Sequence, residues 1–249
     1  MPLGQELKPH LPFLRRYARA LTGSQPDGDD FVRATLESIV ADQAAFPRDI
    51  DPRLALYAAL IAQWEAAEKA APRLSRAVPR SRQALLLTAM EGFTSEDAAY
   101  LMHSERSDID ALAAQALTDI ERQAPTDVLI IEDEPIIAMD IESLVRDLGH
   151  NISGLAATHA EAVQSARDHR PGLVLADIHL ADDSCGIEAV QEILADFAVP
   201  VIFITAFPER LLTGERPEPA FLITKPFQRS TIKAAISQAL FFGQVAVAA

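Results

Sequence analysis

Cysteine is almost absent from this chain: Cys185 is the single one in 249 residues, so no internal disulfide can form and a reducing, cytoplasmic setting is expected. Basic residues are also scarce, since 22 Lys and Arg face 36 Asp and Glu and leave a net charge of −14. Such a chain repels phosphate backbones and anionic lipid surfaces, which argues against nonspecific binding to nucleic acid or to a membrane. No uncharged stretch approaches the roughly 20 apolar residues that cross a bilayer, and the tail ALFFGQVAVAA is too short to do so. The start, MPLGQELKPHLPFLRRYAR, lacks the continuous apolar core of a signal peptide. Apolar residues still make up 49% of the chain, enough for a full core in one large domain or two ordinary ones.

The two halves follow different patterns. Through residue 124 apolar residues recur at helical spacing, broken by TGSQPDGDD, FPRDIDPR and AVPRS, which reads as an all-helical unit. From Thr126 onward short apolar runs, DVLII, GLVLAD, VPVIFIT and AFLIT, alternate with amphipathic stretches such as IIAMDIESLVRDLG and GIEAVQEILADF, the pattern of a parallel α/β sheet. The change falls at Gln123, Ala124 and Pro125, where proline would end a helix. The spacing therefore predicts helices over 1–70, a linker over 71–80, a helix-turn-helix over 81–124, the α/β unit over 125–243 and a tail over 244–249.

Ligands of a doubly wound sheet bind beyond the C-terminal ends of the strands. Here those ends carry Glu132, Asp133 and Glu134 after DVLII, Asp177 after GLVLA, Thr205 after VIFI, and Lys225 with Pro226 after FLIT. If the first and third strands are neighbours, Glu132, Asp133 and Asp177 converge, and three carboxylates so close call for a cation between them. Hard oxygen ligands with room for water suit Mg²⁺, while Lys225 and the Thr205 hydroxyl offer a charge and a donor to an incoming phosphoryl group. Any one of these residues alone reads as a solvated loop side chain. The ordered set, each member directly after an apolar strand, resembles the receiver domains of two-component systems over about residues 126 to 243. That resemblance implies a five-stranded, flavodoxin-like sheet and phosphoryl transfer to Asp177 from a sensor histidine kinase. It also implies Mg²⁺ on Glu132, Asp133, Asp177 and the His179 backbone carbonyl, and a cis Lys225–Pro226 bond.

Receivers usually carry an aromatic residue three positions before the lysine, where this chain has Leu222. Phe221 lies one residue earlier and should face the opposite side of its strand. A route from phosphate through Thr205 and the segment from Ala206 to Leu212 is expected instead, with Phe207 a candidate on it. Cys185 reads as small packing filler. His10, His103, His150, His159 and His169 have no metal-ligand spacing and read as surface or packing residues.

In the helical half, SRQALLLTAMEGFTSEDAAYLMHSERSDIDALAAQALTDIERQ reads as a helix, a Gly-containing turn, a helix capped near Thr94 or Ser95, and a helix from about Ser104. Ile109, Leu112, Ala113, Ala116, Leu117 and Ile120 form the apolar stripe of the last one. LLLTAMEGFTSEDAAYLM resembles region 4 of extracytoplasmic-function sigma factors, and LPFLRRYARALTG with DGDDFVRATLESIVAD resembles their region 2. The DNA-reading helix of that family is rich in Lys and Arg, whereas residues 109 to 117 here read IDALAAQAL, and from His103 to Gln123 five acidic residues face only Arg106 and Arg122. The region 2 stretch departs likewise, running IAQWEAAEKA, where Trp64 reads as a core or interface anchor.

A sigma-like half without DNA chemistry, joined to a receiver, resembles the PhyR family of general stress response regulators over nearly the entire chain. The resemblance implies partner switching: phosphorylation of Asp177 loosens an intramolecular interface between receiver and sigma-like half, which then sequesters an anti-sigma factor of the NepR type and frees a sigma factor. Two other classes are weighed against it. A DNA-binding response regulator or receiver-fused true sigma factor is opposed by the acidic helix at 105 to 121. A magnesium-dependent phosphohydrolase would carry a second aspartate two residues after its nucleophile, and this chain has His179 there, so the chain is read as no enzyme.

Overall fold

The computed structural model describes residues 3–70, 78–121, 124–181, 184–207, 211 and 221–247, and for 121 and 243–247 the backbone alone. Among these the chain divides into two compact units, Met1–Ala116 and Leu117–Ala249. The division thus falls inside a helix that runs from Arg106 to Glu121, ahead of the change of pattern at Pro125.

The first unit is helical. Helices α1 (Leu3–Leu7), α2 (Leu11–Thr22), α3 (Gln25–Ala41) and α4 (Pro52–Ala70) come first, followed by α5 (Arg80–Leu85), α6 (Ser95–Leu101) and α7 (Arg106–Glu121). Residues 71–77 of the expected linker lie outside the described residues, while Val78 is buried and Arg80 already opens α5. Local chemistry marks the boundaries. Gly23 ends α2 in the left-handed conformation, the Ser24 side chain accepts from the Asp27 N–H at the start of α3, and Thr94 and Asp97 form a capping box at α6. The sequence pattern did not foretell that α5 runs on into a π-helical turn, Leu86–Met90. Gly92, with φ of 71°, then turns the chain toward α6.

Burial follows the apolar stripes. Leu14, Tyr17 and Leu21 of α2 and Leu56, Tyr57 and Leu60 of α4 are each no more than 2% exposed. Trp64 is buried against Phe31, ring centroids 5.2 Å apart, as the packing reading expects. In α7, Ile109, Ala116 and Ile120 are buried, whereas Leu117 is exposed. At 100° per residue Leu117 stands about 80° from Ile109, off the centre of the stripe.

The second unit is a parallel sheet of five strands in the order β2-β1-β3-β4-β5. The strands are β1 (Asp127–Ile131), β2 (Asn151–Ala156), β3 (Leu173–Ala176), β4 (Val201–Thr205) and β5 (Phe221–Thr224). Between and after them run α8 (Pro135–Asp147), α9 (His159–His169), α10 (Gly186–Asp196) and α11 (Arg229–Val247). The last helix continues through residues 244–247, read above as tail. β1 and β3 are nearly continuous apolar runs because both faces are covered. Edge strand β2, NISGLA, is the one that no apolar run announced; it is only half buried and its pairing with β1 is irregular at Val128 and Leu129. Leu129, Val174, Phe203 and Leu222 meet in one core cluster. No helix among the described residues is long and apolar enough to cross a membrane.

Candidate functional site

Parallel pairing of β1 with β3, and of β3 with β4, brings the three strand ends to one edge of the sheet. Backbone bonds set their height: Asp177 N–H donates to the Ile131 carbonyl at 2.8 Å, Glu132 N–H to Ala156 at 2.9 Å, and Lys225 N–H to Thr205 at 2.8 Å. The convergence read from the sequence is thereby realised. Glu132, Asp133 and Asp177 each present a carboxylate oxygen within 4.8 Å of the others. Glu132 and Asp177 are buried, Asp133 half-buried and Glu134 exposed.

Lys225 reaches across this group. Its Nζ donates to Asp177 Oδ2 at 2.7 Å and to Glu132 Oε2 and Oε1 at 2.9 and 3.0 Å. The other Asp177 oxygen, Oδ1, accepts from the Ile178 N–H at 2.5 Å. Burial pushes the Glu132 carboxyl up to about 7; its hydrogen bonds to Lys225 pull the other way, and the Asp177 charge adds to the rise. For Lys225 burial favours the neutral amine, but the bonds to Asp177 and Glu132 outweigh it and raise its pKa. One ammonium therefore serves two buried carboxylates, with the third acid at their side. Such a set of hard oxygen donors, short of positive charge, fits a small divalent cation.

Thr205 is fully buried at the end of β4, and its Oγ1 accepts from the Phe207 N–H at 3.1 Å. The exposed Phe207 ring stands edge-on to the His179 ring, centroids 5.0 Å apart, so the loops after β3 and β4 touch through these two side chains. Residues 208–210 and 212 of the expected signal segment lie outside the described residues. Leu222 is 2% exposed within the core cluster, while Phe221 is buried but outside it, so neighbouring strand positions do face opposite sides. The Lys225–Pro226 bond is cis. Cys185 is half-buried against the core and pairs with His179 in an isolated antiparallel bridge. His150, read as a surface or packing residue, is buried at 3% exposure.

Two features escaped the sequence reading. Gly186 opens α10 directly over Asp177: its N–H donates to Ile178 O at 2.8 Å, and a Cβ there would stand 1.8 Å from the Asp177 carbonyl oxygen. The glycine directly ahead of the periodic stretch IEAVQEIL was the available signal. In the helical unit, Glu91 and Arg16 are buried together; the only hint was a lone acid closing the apolar run LLLTAM.

Comparison with known proteins covers the whole chain. Residues 7–61 match the family described as the Sigma2 domain of PhyR, 74–123 the response regulator PhyR, sigma-like domain, and 128–237 the response regulator receiver domain. The chain is 49% identical to the phyllosphere-induced regulator PhyR of Methylorubrum extorquens, covering 99% of this chain and 97% of that one. The crystal structure of the anti-anti-sigma factor PhyR from Bartonella quintana is similar at a TM-score of 0.90 and 51% identity, covering 98% of each chain. That of the response regulator PhyR from Brucella abortus is similar at 0.91 and 49%, covering 99% of this chain and 97% of that one.

Proposed function

The chain belongs to the PhyR family of response regulators, and from that premise we propose that it is a phosphorylation-gated anti-anti-sigma factor whose acceptor is Asp177. A sensor histidine kinase supplies the phosphoryl group, and the helical half then sequesters an anti-sigma factor of the NepR type, freeing a sigma factor for the general stress response. One observation carries this reading: the sigma-like helices are intact, capped and packed, while Glu105 just ahead of α7 and Asp108 and Asp110 within it are exposed where a DNA reader would present Lys and Arg.

At the acceptor, the Asp177 carboxylate attacks phosphorus and the bond to the kinase histidine breaks. Lys225 lies in reach of both Asp177 and Glu132, so its charge can follow the phosphoryl oxygens. Mg²⁺, when bound, would be held by Glu132, Asp133 and Asp177 with the His179 backbone carbonyl, and would offset the charge gathering on those oxygens. Thr205 turns its hydroxyl toward the phosphoryl group. Because the Phe207 amide is bonded to that same hydroxyl, Phe207 is carried along and its contact with His179 breaks. With Leu222 locked in the core, this loop replaces a rotating aromatic side chain as the carrier of the signal.

A switch from mostly silent to mostly active needs about 5.5 kcal/mol, shared between phosphate and partner. The test is binding of a purified NepR-type anti-sigma factor with and without beryllofluoride and Mg²⁺. Tight binding only with the mimic, lost in Asp177→Ala, is expected; equal binding in both conditions, or firm binding to promoter DNA, would overturn the reading.

A further inference from the structure

The helical unit is held together by a group that phosphoryl chemistry does not use. Glu91 follows the π-helical turn Leu86–Met90 and is 5% exposed. Its carboxylate accepts from Arg16 of α2 twice, Nε to Oε1 at 3.1 Å and Nη2 to Oε2 at 2.9 Å. From α4 the Tyr57 hydroxyl donates to Oε2 at 2.7 Å, and Arg53 stands 3.8 Å from the same oxygen and donates to the Glu91 carbonyl. Arg16 also donates to the Met90 carbonyl at 3.1 Å. Aromatic rings close the site: Tyr57 lies 4.9 Å from Phe93, and the Arg53 guanidinium 4.2 Å above Phe93.

The partners Arg16, Arg53 and Tyr57 lie 75, 38 and 34 residues from Glu91 in sequence. All three belong to the region 2-like helices and the acid to the region 4-like segment. A buried, bidentate, charge-assisted pair of this kind has one geometry that satisfies every donor, so it specifies orientation more than it adds stability. Burial, and then the Glu91 charge, hold the Tyr57 hydroxyl protonated far above its ordinary range, so it remains a donor. A π-helical turn directly ahead of the acid sets the position from which it points.

We propose that Glu91 is a positioning residue, a clasp that fixes the region 2-like and region 4-like helices in one mutual arrangement, so that an anti-sigma factor gripping both meets a preformed surface. A captor that does not read DNA gains from fixing these regions, since the ordering is complete before the partner arrives. The proposal rests on the anti-sigma reading above for its partner, and on the contacts of Glu91 for its mechanism.

The experiment uses the full chain with Cys185→Ser and spin labels at two exposed positions, Val40→Cys on α3 and Tyr100→Cys on α6. Electron–electron distance measurements are paired with calorimetric binding of a NepR-type anti-sigma factor under beryllofluoride and Mg²⁺. The parent is expected to give one narrow distance. Glu91→Gln should broaden it and weaken binding at least about tenfold, with phosphorylation of Asp177 unchanged. The triple replacement Arg16→Met, Tyr57→Phe, Glu91→Leu, which exchanges the polar group for an apolar one, should restore the narrow distance and bring affinity back to within about threefold. Should Glu91→Gln not fold, Tyr57→Phe is read in its place, with partial broadening and a smaller loss expected. A narrow distance in the folded variant overturns the clasp. A restored distance without restored affinity also overturns the proposal, by making Glu91 a direct contact of the partner. If the parent itself fails to bind the anti-sigma factor, the functional reading fails, while the distances still decide the clasp.

Discussion

The Lys225 ammonium lies 2.7 Å from Asp177 Oδ2, so Asp177, the proposed acceptor, and the only cation within its reach among the described residues form a direct ion pair. The same ammonium holds Glu132, which makes it the point where the charge of the site is balanced. Removing it leaves two buried carboxylates facing each other. Lys225→Met is expected to destabilise the metal-free protein by about 3 kcal/mol and to abolish phosphoryl acceptance. Saturating Mg²⁺ should recover most of the stability but not the acceptance, which thermal melts and a phosphotransfer assay with the cognate kinase would separate.

The Glu132 carboxyl carries a pH dependence of its own. Its folded value of about 7 lies above the unfolded value near 4.3, so between them the native state binds the extra proton and is favoured at low pH. This contribution is fully present below about pH 4.3 and is lost as pH rises through about 7. Denaturant titrations of the metal-free protein should show it, Glu132→Gln should remove it, and Mg²⁺ should convert the loss into a gain. An unchanged slope in Glu132→Gln would refute the assignment.

His150 acts in the opposite sense. Its Nδ1 accepts from the Thr126 N–H at 3.3 Å and burial lowers its pKa, so the folded state holds it neutral. The unfolded state then binds more protons below about pH 6.5, and the stability this neutral ring provides is lost as pH falls from there toward the lowered folded value. His150→Asn is expected to flatten the acid limb of stability between pH 6.5 and 5, measured by urea midpoints.

Gly186 tests how closely α10 must approach the acceptor. A methyl group there meets the Asp177 carbonyl, which the loop cannot yield without moving Asp177 itself. Gly186→Ala should lower the phosphorylation rate at least about tenfold and cost about 1–3 kcal/mol, the range of overpacked sites. A rate equal to that of the parent would show that the loop relaxes elsewhere.

Leu222 and Phe207 divide the signalling question. An aromatic residue at 222 would enlarge a filled core, so Leu222→Phe is expected to destabilise by about 1–3 kcal/mol without improving the response to phosphate. Phe207→Ala should leave phosphorylation intact and reduce the gain in anti-sigma affinity that beryllofluoride brings. Unaltered gain in Phe207→Ala would remove this residue from the route.

The acid pocket was legible in advance because each of its members directly follows an apolar run. Burial of Leu129, Leu175, Ile204 and Ile223 fixes those strands, and parallel pairing then carries Glu132, Asp177, Thr205 and Lys225 to one edge. The cap at Thr94 was legible for a similar reason, since it acts within one turn of the chain. The edge strand β2 was not, because Gly154 and half-exposure blur its alternation and only its pairing with β1 makes it a strand.

Sequence by itself therefore determined two domains, a helical stripe pattern, the residues of an acid pocket and the loss of a basic DNA-reading face, all of which rest on short-range periodicity or on residue type. Tertiary structure alone decided that Lys225 is shared between Glu132 and Asp177, that Phe207 lies against His179, and that Glu91 gathers Arg16, Arg53 and Tyr57. These are meetings of single side chains from distant segments. No local spacing encodes them; each follows from how the packed helices and paired strands bring separate positions to one place, where burial makes an unpaired charge too costly to keep.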